Sequence, residues 1–480
     1  MQGQKRIVEG PLARELARFG TPLALGMALQ TTFNLVDAYL VAQLSEAEVG
    51  PAIGALGICD QIAAIGTILS YGVSTAAASL ISQHKGAGRE KGIQTAAWQS
   101  ILIVLGLSIV FGVLGLVLAG PIVRDVIGAK GEVAAVATRY LRVIVGGSFT
   151  IFFLLQLTTI QRALGSAKTP VALLVGGNIL NVALAIVLIY GPGPAPAALS
   201  WGAPIARALG IPRMGMLGAA WATIFARAAV LVPTAIVLAR RHGIVFPSRG
   251  ARAPERAEIR RLVAIAWPTS AQFVIRILAM LLVNSIVARA FTTEGDQTAT
   301  TAMGLVFRLD TMALFVAMGW GSAAQTFVGQ NLGAGHGRRA MASGWLTALY
   351  DAITNVMLIA AVFLAGERIL HIFDYSPGPV GIALVYLRAV APSYLGLGVG
   401  VVLGNAMAGA GATRTTFWID VVVILGFQFP LCLFAVFAFG APIEALFRCV
   451  AAANVASSLL YAIVYARKGW QRAAVGAGAG

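Results

Sequence analysis

Residues 83–88 read Gln83-His84-Lys85-Gly86-Ala87-Gly88, and residues 330–335 read Gln330-Asn331-Leu332-Gly333-Ala334-Gly335. The two stretches lie 247 residues apart, and further matches keep that distance to within one residue. Leu16 and Pro22 pair with Leu262 and Pro268, Trp98 with Trp345, Tyr140-Leu141-Arg142 with Tyr386-Leu387-Arg388, and Gly165 with Gly411. Apolar helices of limited alphabet resemble one another by chance, but not in order and at one offset. The chain therefore reads as two tandem copies of one unit, a pattern common in transporters.

Composition says where those units reside. Of 480 residues, 58% are hydrophobic and 11% charged, more apolar surface than a water-soluble core can hide. A bilayer core takes roughly 20 apolar residues per helix, and stretches such as 102–119, 169–190, 216–239 and 345–365 supply that. Twelve spans are expected: 16–43, 52–83, 93–119, 133–160, 170–190 and 216–239, then 262–290, 300–330, 340–365, 379–404, 416–439 and 445–466. The fold class is thus an all-α polytopic membrane protein, with six helices in each of two lobes. Because six is even, both halves enter the membrane in the same sense, so the pseudo-two-fold axis lies along its normal and a cleft forms between the lobes. The expected divisions are an N-lobe over 1–240, a cytoplasmic linker over 241–261 and a C-lobe with a tail over 262–480. The Gly- and Pro-rich stretch 191–215 reads as an external loop.

A net charge of +16 would suggest nucleic acid in a soluble protein, but its placement matters more here. The N-terminal segment through Arg18, the even-numbered loops and the C-terminal tail hold 22 Lys and Arg, against five in the odd-numbered loops. The positive-inside rule then places both termini and the linker in the cytoplasm of a bacterial inner membrane. No folded basic domain is left for nucleic acid. Gln30, Asn34 and Asp37 interrupt the run where a signal peptide would need an apolar region, so the N-terminus is expected to stay. Cys59, Cys432 and Cys449 sit singly, the four histidines do not cluster, and no phosphate-binding loop occurs. Neither a metal, a cofactor nor nucleotide hydrolysis is indicated. No Ser/His/Asp grouping or paired carboxylates point to an enzyme.

In this setting the residues resemble the multidrug and toxic compound extrusion (MATE) family over essentially the whole chain. The resemblance rests on Pro22 with Gln30, Asn34 and Asp37, on the two Gln-x-x-Gly-Ala-Gly ends, and on the turns Gly165–Pro170 and Gly409–Arg414. Those turns are similar to the family's R-G-x-G-D-T-R turn, with Ser166 and Ala412 where its Asp would stand. The resemblance implies a two-lobe antiporter that exchanges H⁺ or Na⁺ for amphipathic, often cationic, small molecules. One branch couples through an Asp in the first helix and a polar N-lobe cluster, which Asp37 and Gln30 match. In the fifth span the family's Asn falls on Asn181, but the Asp expected four residues later is Ala185, which tilts the expectation to H⁺. The other branch has a Glu in the seventh span, where this chain has Arg276, and a C-lobe Asp that would fall near Gly396 or Leu397.

Spacing adds its own argument. Gln30, Asn34 and Asp37 stand at i, i+4 and i+7 and share one helical face, while Asn178 and Asn181, at i and i+3, share a face of the fifth span. An ionised carboxylate at mid-membrane costs at least ~2.5 kcal/mol, so Asp37 needs a partner, water or a proton. It is either the coupling residue or a solvated residue near its helix end, and the asparagines either join it or bond neighbouring helices. Thr223 is the weakest member of the candidate cluster. Pro22 and Pro268 are either kinks or helix starts. Arg276, equivalent in the repeat to Gln30, either pairs with Asp310, Asp351 or Asp420 or lines the cleft. The expected function is secondary antiport of drugs or metabolites, with small-molecule substrate, coupling ion and membrane lipid as partners. Nothing in the sequence requires an oligomer, so a monomer is expected. The alternative is a flippase or exporter for an anionic or lipid-linked substrate, using an arginine-containing cleft.

Overall fold

The computed structural model describes residues 2–244, 253–293, 295–371 and 376–474, without the side chains of 2–5, 31–35, 46–47, 51, 53–54, 57–58, 60–61, 64 and 241–242. Residues 245–252 of the expected linker, the end of the tail and the Asn34 side chain lie outside that description. Among the described residues the chain is helical apart from one isolated bridge, Thr293 with Asp296. The first six spans are Leu12–Ala42, Glu46–Gly86, Glu90–Pro121, the pair Gly131–Gly146 and Ser148–Ala163, Lys168–Tyr190 and Met216–His242. The second six are Arg256–Ala290, Thr298–Gly333, Gly337–His371, the pair Pro377–Val390 and Tyr394–Gly409, the stretch from Thr413 to Ala438, and Ile443–Ala466. Eleven stretches are long and apolar enough to cross a membrane among the described residues. The Leu12–Ala42 helix completes the twelve.

The third span shows why these sequences need lipid. Val104, Ser108, Gly112, Gly115 and Ala119 form its buried stripe, while Ile109, Val110, Val113, Leu116 and Val117 point outward and are exposed. Small residues let helices approach, and large apolar ones meet the acyl chains. At Gly115 a Cβ would stand 2.4 Å from a Val145 methyl, so only glycine fits that crossing.

Duplication is visible in three dimensions. The fourth span breaks at Gly147 and the tenth at Ala391–Ser393, so Gly147 and Ser393 are 246 residues apart. Gly165 and Gly411, paired in the repeat, both close their turns at positive φ, 91° and 84°. Across the lobe interface the first span packs on the eighth and the seventh on the second. Gln83 Nε2 donates to the Gly409 carbonyl at 2.9 Å, and Gln330 Nε2 to the Ala163 carbonyl at 2.8 Å. Gly86 lies against the Gln330 carbonyl and Gly333 against that of Gln83. The repeated Gln-x-x-Gly motif is therefore the seam that joins the lobes at the end bearing the termini. Arg339 reinforces this end by donating to the carbonyls of Ile7 and Gly10.

Other departures from regular helix have local causes. Pro22 and Pro268 lie well inside their helices, not at helix starts. The eleventh span leaves α geometry after Asp420 and runs as π-helix over Val421–Gln428 and again over Phe434–Ala438. The stretch 191–215, expected as loop, contains a 3₁₀ turn at Ala197–Leu199 and a helix at Gly202–Ala208. Arg213 of this segment pairs with Glu48 at 2.5 Å.

Candidate functional site

The first and fifth spans meet at Asp37. Asn181 Nδ2 donates to both carboxylate oxygens, at 2.7 and 2.9 Å, with Asn181 buried and Asp37 half-buried. Arg227 of the sixth span lies within Coulombic reach of Asp37 and of Tyr140. Asn181 thus supplies hydrogen-bond donors to this carboxylate, and Arg227 a positive charge in its neighbourhood. Gln30 and Asn178 are half-buried, with no side-chain hydrogen bond among the described residues. Thr223 turns its hydroxyl back to the Ala219 carbonyl of its own helix, at 2.9 Å. Of the candidate N-lobe cluster, then, the structure joins Asp37 to Asn181 and does not join Gln30, Asn178 or Thr223 to them.

The seventh and eleventh spans carry the corresponding bridge of the C-lobe. Arg276 Nε donates to Asp420 Oδ2 at 2.6 Å, Tyr461 donates to Asp420 Oδ1 at 2.8 Å, and Gln272 Nε2 donates to the Tyr461 oxygen at 2.7 Å. Both bridges span 144 residues, and allowing for the repeat they sit seven residues, two turns, apart on equivalent helix pairs. Asp420 is almost fully buried, and it stands where the α-helix gives way to π-helix, a common feature of functional positions. Arg276 is thus neutralised within its own lobe.

Between the lobes lies a small cavity walled by Tyr71 and Thr75 of the second span, Thr269, Gln272, Phe273 and Arg276 of the seventh, and Asn405 of the tenth. The rings of Tyr71 and Phe273 meet edge to face with centroids 4.6 Å apart. Its accessible volume of about 30 Å³ is far below the ~300–1,000 Å³ of small-molecule sites, so the lobes are drawn together here. Arg162 comes within Coulombic reach of Tyr71 from the N-lobe side. Its guanidinium donates to Thr159 Oγ1 at 2.6 Å, and its Nε is buried without a partner.

Sequence reasoning missed two of these residues. Arg162 stands beside the Gly165–Pro170 turn, which the fold carries into the lobe interface, and Arg227 stands inside the expected 216–239 span, where only helix packing puts it near Asp37. Among the described residues no group of His, Cys, Asp and Glu could hold a metal ion.

Comparison with known proteins gives this geometry a family. The MatE family model matches twice, over residues 22–187 and 250–434. The chain is 26% identical over 424 residues to the probable multidrug resistance protein YpnP of Bacillus subtilis, covering 88% of each chain. It is 22% identical over 423 residues to the probable multidrug resistance protein NorM of Thermotoga maritima, covering 88% of this chain and 85% of that one. A crystal structure of MATE in complex with MaL6 superposes with a TM-score of 0.84 at 20% identity, covering 98% of this chain and 99% of that one. Two lobes joined along a duplicated Gln-x-x-Gly seam, each copy matched by the same model, leave one conclusion: the chain belongs to the MatE family, the multidrug and toxic compound extrusion transporters.

Proposed function

We propose that this transporter exports amphipathic, cationic drugs or metabolites in exchange for H⁺, with Asp37 as the coupling carboxylate. The observation that carries the reading is the Asn181 amide spread across both oxygens of Asp37. An amide donor favours the ionised form, and closure of the lobe around it favours the neutral one. A carboxylate poised between the two loads a proton in one conformation and releases it in the other. Alternating access then rocks lobe 1–240 against lobe 262–480, which a pseudo-two-fold axis along the membrane normal relates, in a bacterial inner membrane with both termini in the cytoplasm. Ala185, which supplies no second acid, supports H⁺ over Na⁺.

The test is ethidium or norfloxacin efflux from cells and proteoliposomes carrying wild type or Asp37→Asn, with imposed proton or sodium gradients. Efflux driven by ΔpH and lost in the variant is the expected result. Efflux driven by Na⁺ alone would overturn the choice of ion. No efflux under either gradient would favour an anionic or lipid-linked substrate, held where Arg162 keeps an unpartnered Nε.

A further inference from the structure

The C-lobe contains a carboxylate that the coupling scheme above does not use. Asp351, near the middle of the ninth span, is completely buried, and its neighbour Asn355, one turn on, is 1% exposed. Asn355 Nδ2 donates to Asp351 Oδ2 at 2.9 Å, while Asp351 Oδ1 and Asn355 Oδ1 are both buried without a partner. The tenth span presses its backbone onto this pair at Gly398, where a Cβ would fall 1.9 Å from Asp351 Oδ2 and 2.5 Å from Asn355 Nδ2. Two buried acceptor oxygens beside a carboxylate lack one positive charge and one donor.

Among the described residues no neighbouring side chain supplies either. The elements packed on the ninth span bring Arg14, Glu15 and Arg18 on the first span, Arg308 and Asp310 on the eighth, Tyr386, Arg388 and Tyr394 on the tenth, and Tyr465 on the twelfth, whose hydroxyl donates to the Ala340 carbonyl. Tyr386 and Tyr394 both donate to Asp310, each at 2.5 Å. None of these groups bonds Asp351 or acts on it electrostatically. A hard metal cation takes roughly six oxygen ligands, more than the pair can offer. A proton fits. On Asp351 it removes the buried charge, and with the Asn355 amide turned over, an assignment that rests on the hydrogen-bond network, the acid O–H donates to the amide oxygen.

We propose that Asp351 is a second proton-carrying site of this transporter, separate from Asp37. Its route to the lobe interface is short. Thr354 Oγ1 shares its proton between the backbone carbonyls of Tyr350 and Asp351, at 2.8 and 2.9 Å, and accepts from Trp320 Nε1 at 3.0 Å. The Trp320 ring lies against Gly20 of the first span, where a Cβ would stand 2.3 Å from it. Ionisation of Asp351 would draw in water or a donor at Gly398, move the ninth and tenth spans apart, and so pull on the contact between Trp320 and the helix that carries Asp37.

The proposal deepens the antiport reading and rests on it for the coupling of this proton to transport; the protonation itself is read without transport. Infrared difference spectra of the purified full-length protein in nanodiscs, wild type against Asp351→Asn, report a buried carboxylic acid directly. We expect its carbonyl band to vanish in Asp351→Asn and to survive in Asp37→Asn. In proteoliposomes the protons counter-transported per substrate should fall by one in Asp351→Asn, with efflux retained at a large ΔpH. Where Asp351→Asn does not fold, Asp351→Glu keeps the carboxyl and should shift the band instead. Absence of the band, its removal by Na⁺ at constant pH, or an unchanged proton count would each overturn the proposal. Efflux indifferent to Asp37→Asn, with the Asp351 band intact, would sink the Asp37 reading and leave this site standing.

Discussion

At Arg276 a single guanidinium decides the charge balance of the C-lobe. It is bound to an Asp420 that is 2% exposed and further held by Tyr461. Arg276→Met alone leaves a buried, uncompensated carboxylate, a change that costs about 3–5 kcal/mol. Removing both charges with Arg276→Met and Asp420→Leu should recover most of that loss, since a buried ion pair replaced by packed apolar groups is often neutral. Thermal unfolding of the purified variants in detergent checks this, and a double variant no more stable than the single one would show that the pair holds the helices together by geometry as well as charge. The sequence placed Arg276 in mid-span and offered Asp310, Asp351 and Asp420 as partners, but it could not choose among them. The choice depends on which helix faces the seventh, and that is tertiary packing. The same limit applies to Asn178 and Asn181: i, i+3 spacing puts both on one face, yet only Asn181 points at Asp37.

Turns were more legible at the level of elements, because they depend on local chemistry. Gly165 and Gly411 recur at the repeat offset, and the structure gives both a left-handed backbone that a side chain strains. Gly411 has room for a methyl group, its nearest neighbours being 3.6 Å away, so Gly411→Ala isolates the conformational cost of about 1–2 kcal/mol. We expect a lower Tm with unchanged transport specificity, measured on the purified protein and by efflux of two unrelated substrates. Less legible was the order within 191–215, which its Gly and Pro content read as loop. There the clasp between Arg213 and Glu48 ties the segment to the water-facing first turn of the second span's helix, ahead of the apolar run. The Ser45 hydroxyl most of all, opposed by burial and aided by the hydrogen bond and charge of Arg213, holds the Glu48 carboxyl below its ordinary range. A carboxylate shifted this way stabilises the fold fully above its unfolded pKa, and the contribution is lost as pH falls through its lower folded value. Both partners are solvent-accessible, so the clasp stabilises by no more than about 1 kcal/mol. Amide protection over 197–209, taken against the intrinsic exchange rate at each pH, should fall in Glu48→Gln at neutral pH and, in wild type, only once the medium is acid enough to protonate Glu48. Equal protection in variant and wild type would mean that packing, not this pair, orders the segment.

Over the whole molecule the repeat does more than record duplication, because it supplies the surface on which the lobes close. The pattern of Gln83, Gly86, Gln330 and Gly333 was visible in the sequence as four letters at a fixed offset. Its reciprocal geometry was not, since the offset says only that the copies are alike and not that they touch. Each glycine admits the other lobe's carbonyl so closely that a Cβ at Gly86 or Gly333 would overlap backbone atoms of Gln330 or Gln83. Backbone cannot swing aside as a side chain can, so the lobes themselves must separate at this end. Gly86→Ala or Gly333→Ala should therefore shift the population away from the state seen here, and the two together should shift it further, because they act on one seam. Gly88 and Gly335 have no neighbour within 4 Å of a Cβ and lie just beyond the seam. Gly335→Ala serves as the control, combining strained backbone with an undisturbed interface. Spin labels on Arg89 and Arg338, outside the contact, report lobe separation by pulsed electron resonance. We expect longer distances in the Gly86 and Gly333 variants, unchanged distances in the Gly335 variant, and efflux that falls with the population able to close. Unchanged distances in all three would mean that the seam yields within a lobe, and that rigid-body rocking is not how this transporter opens.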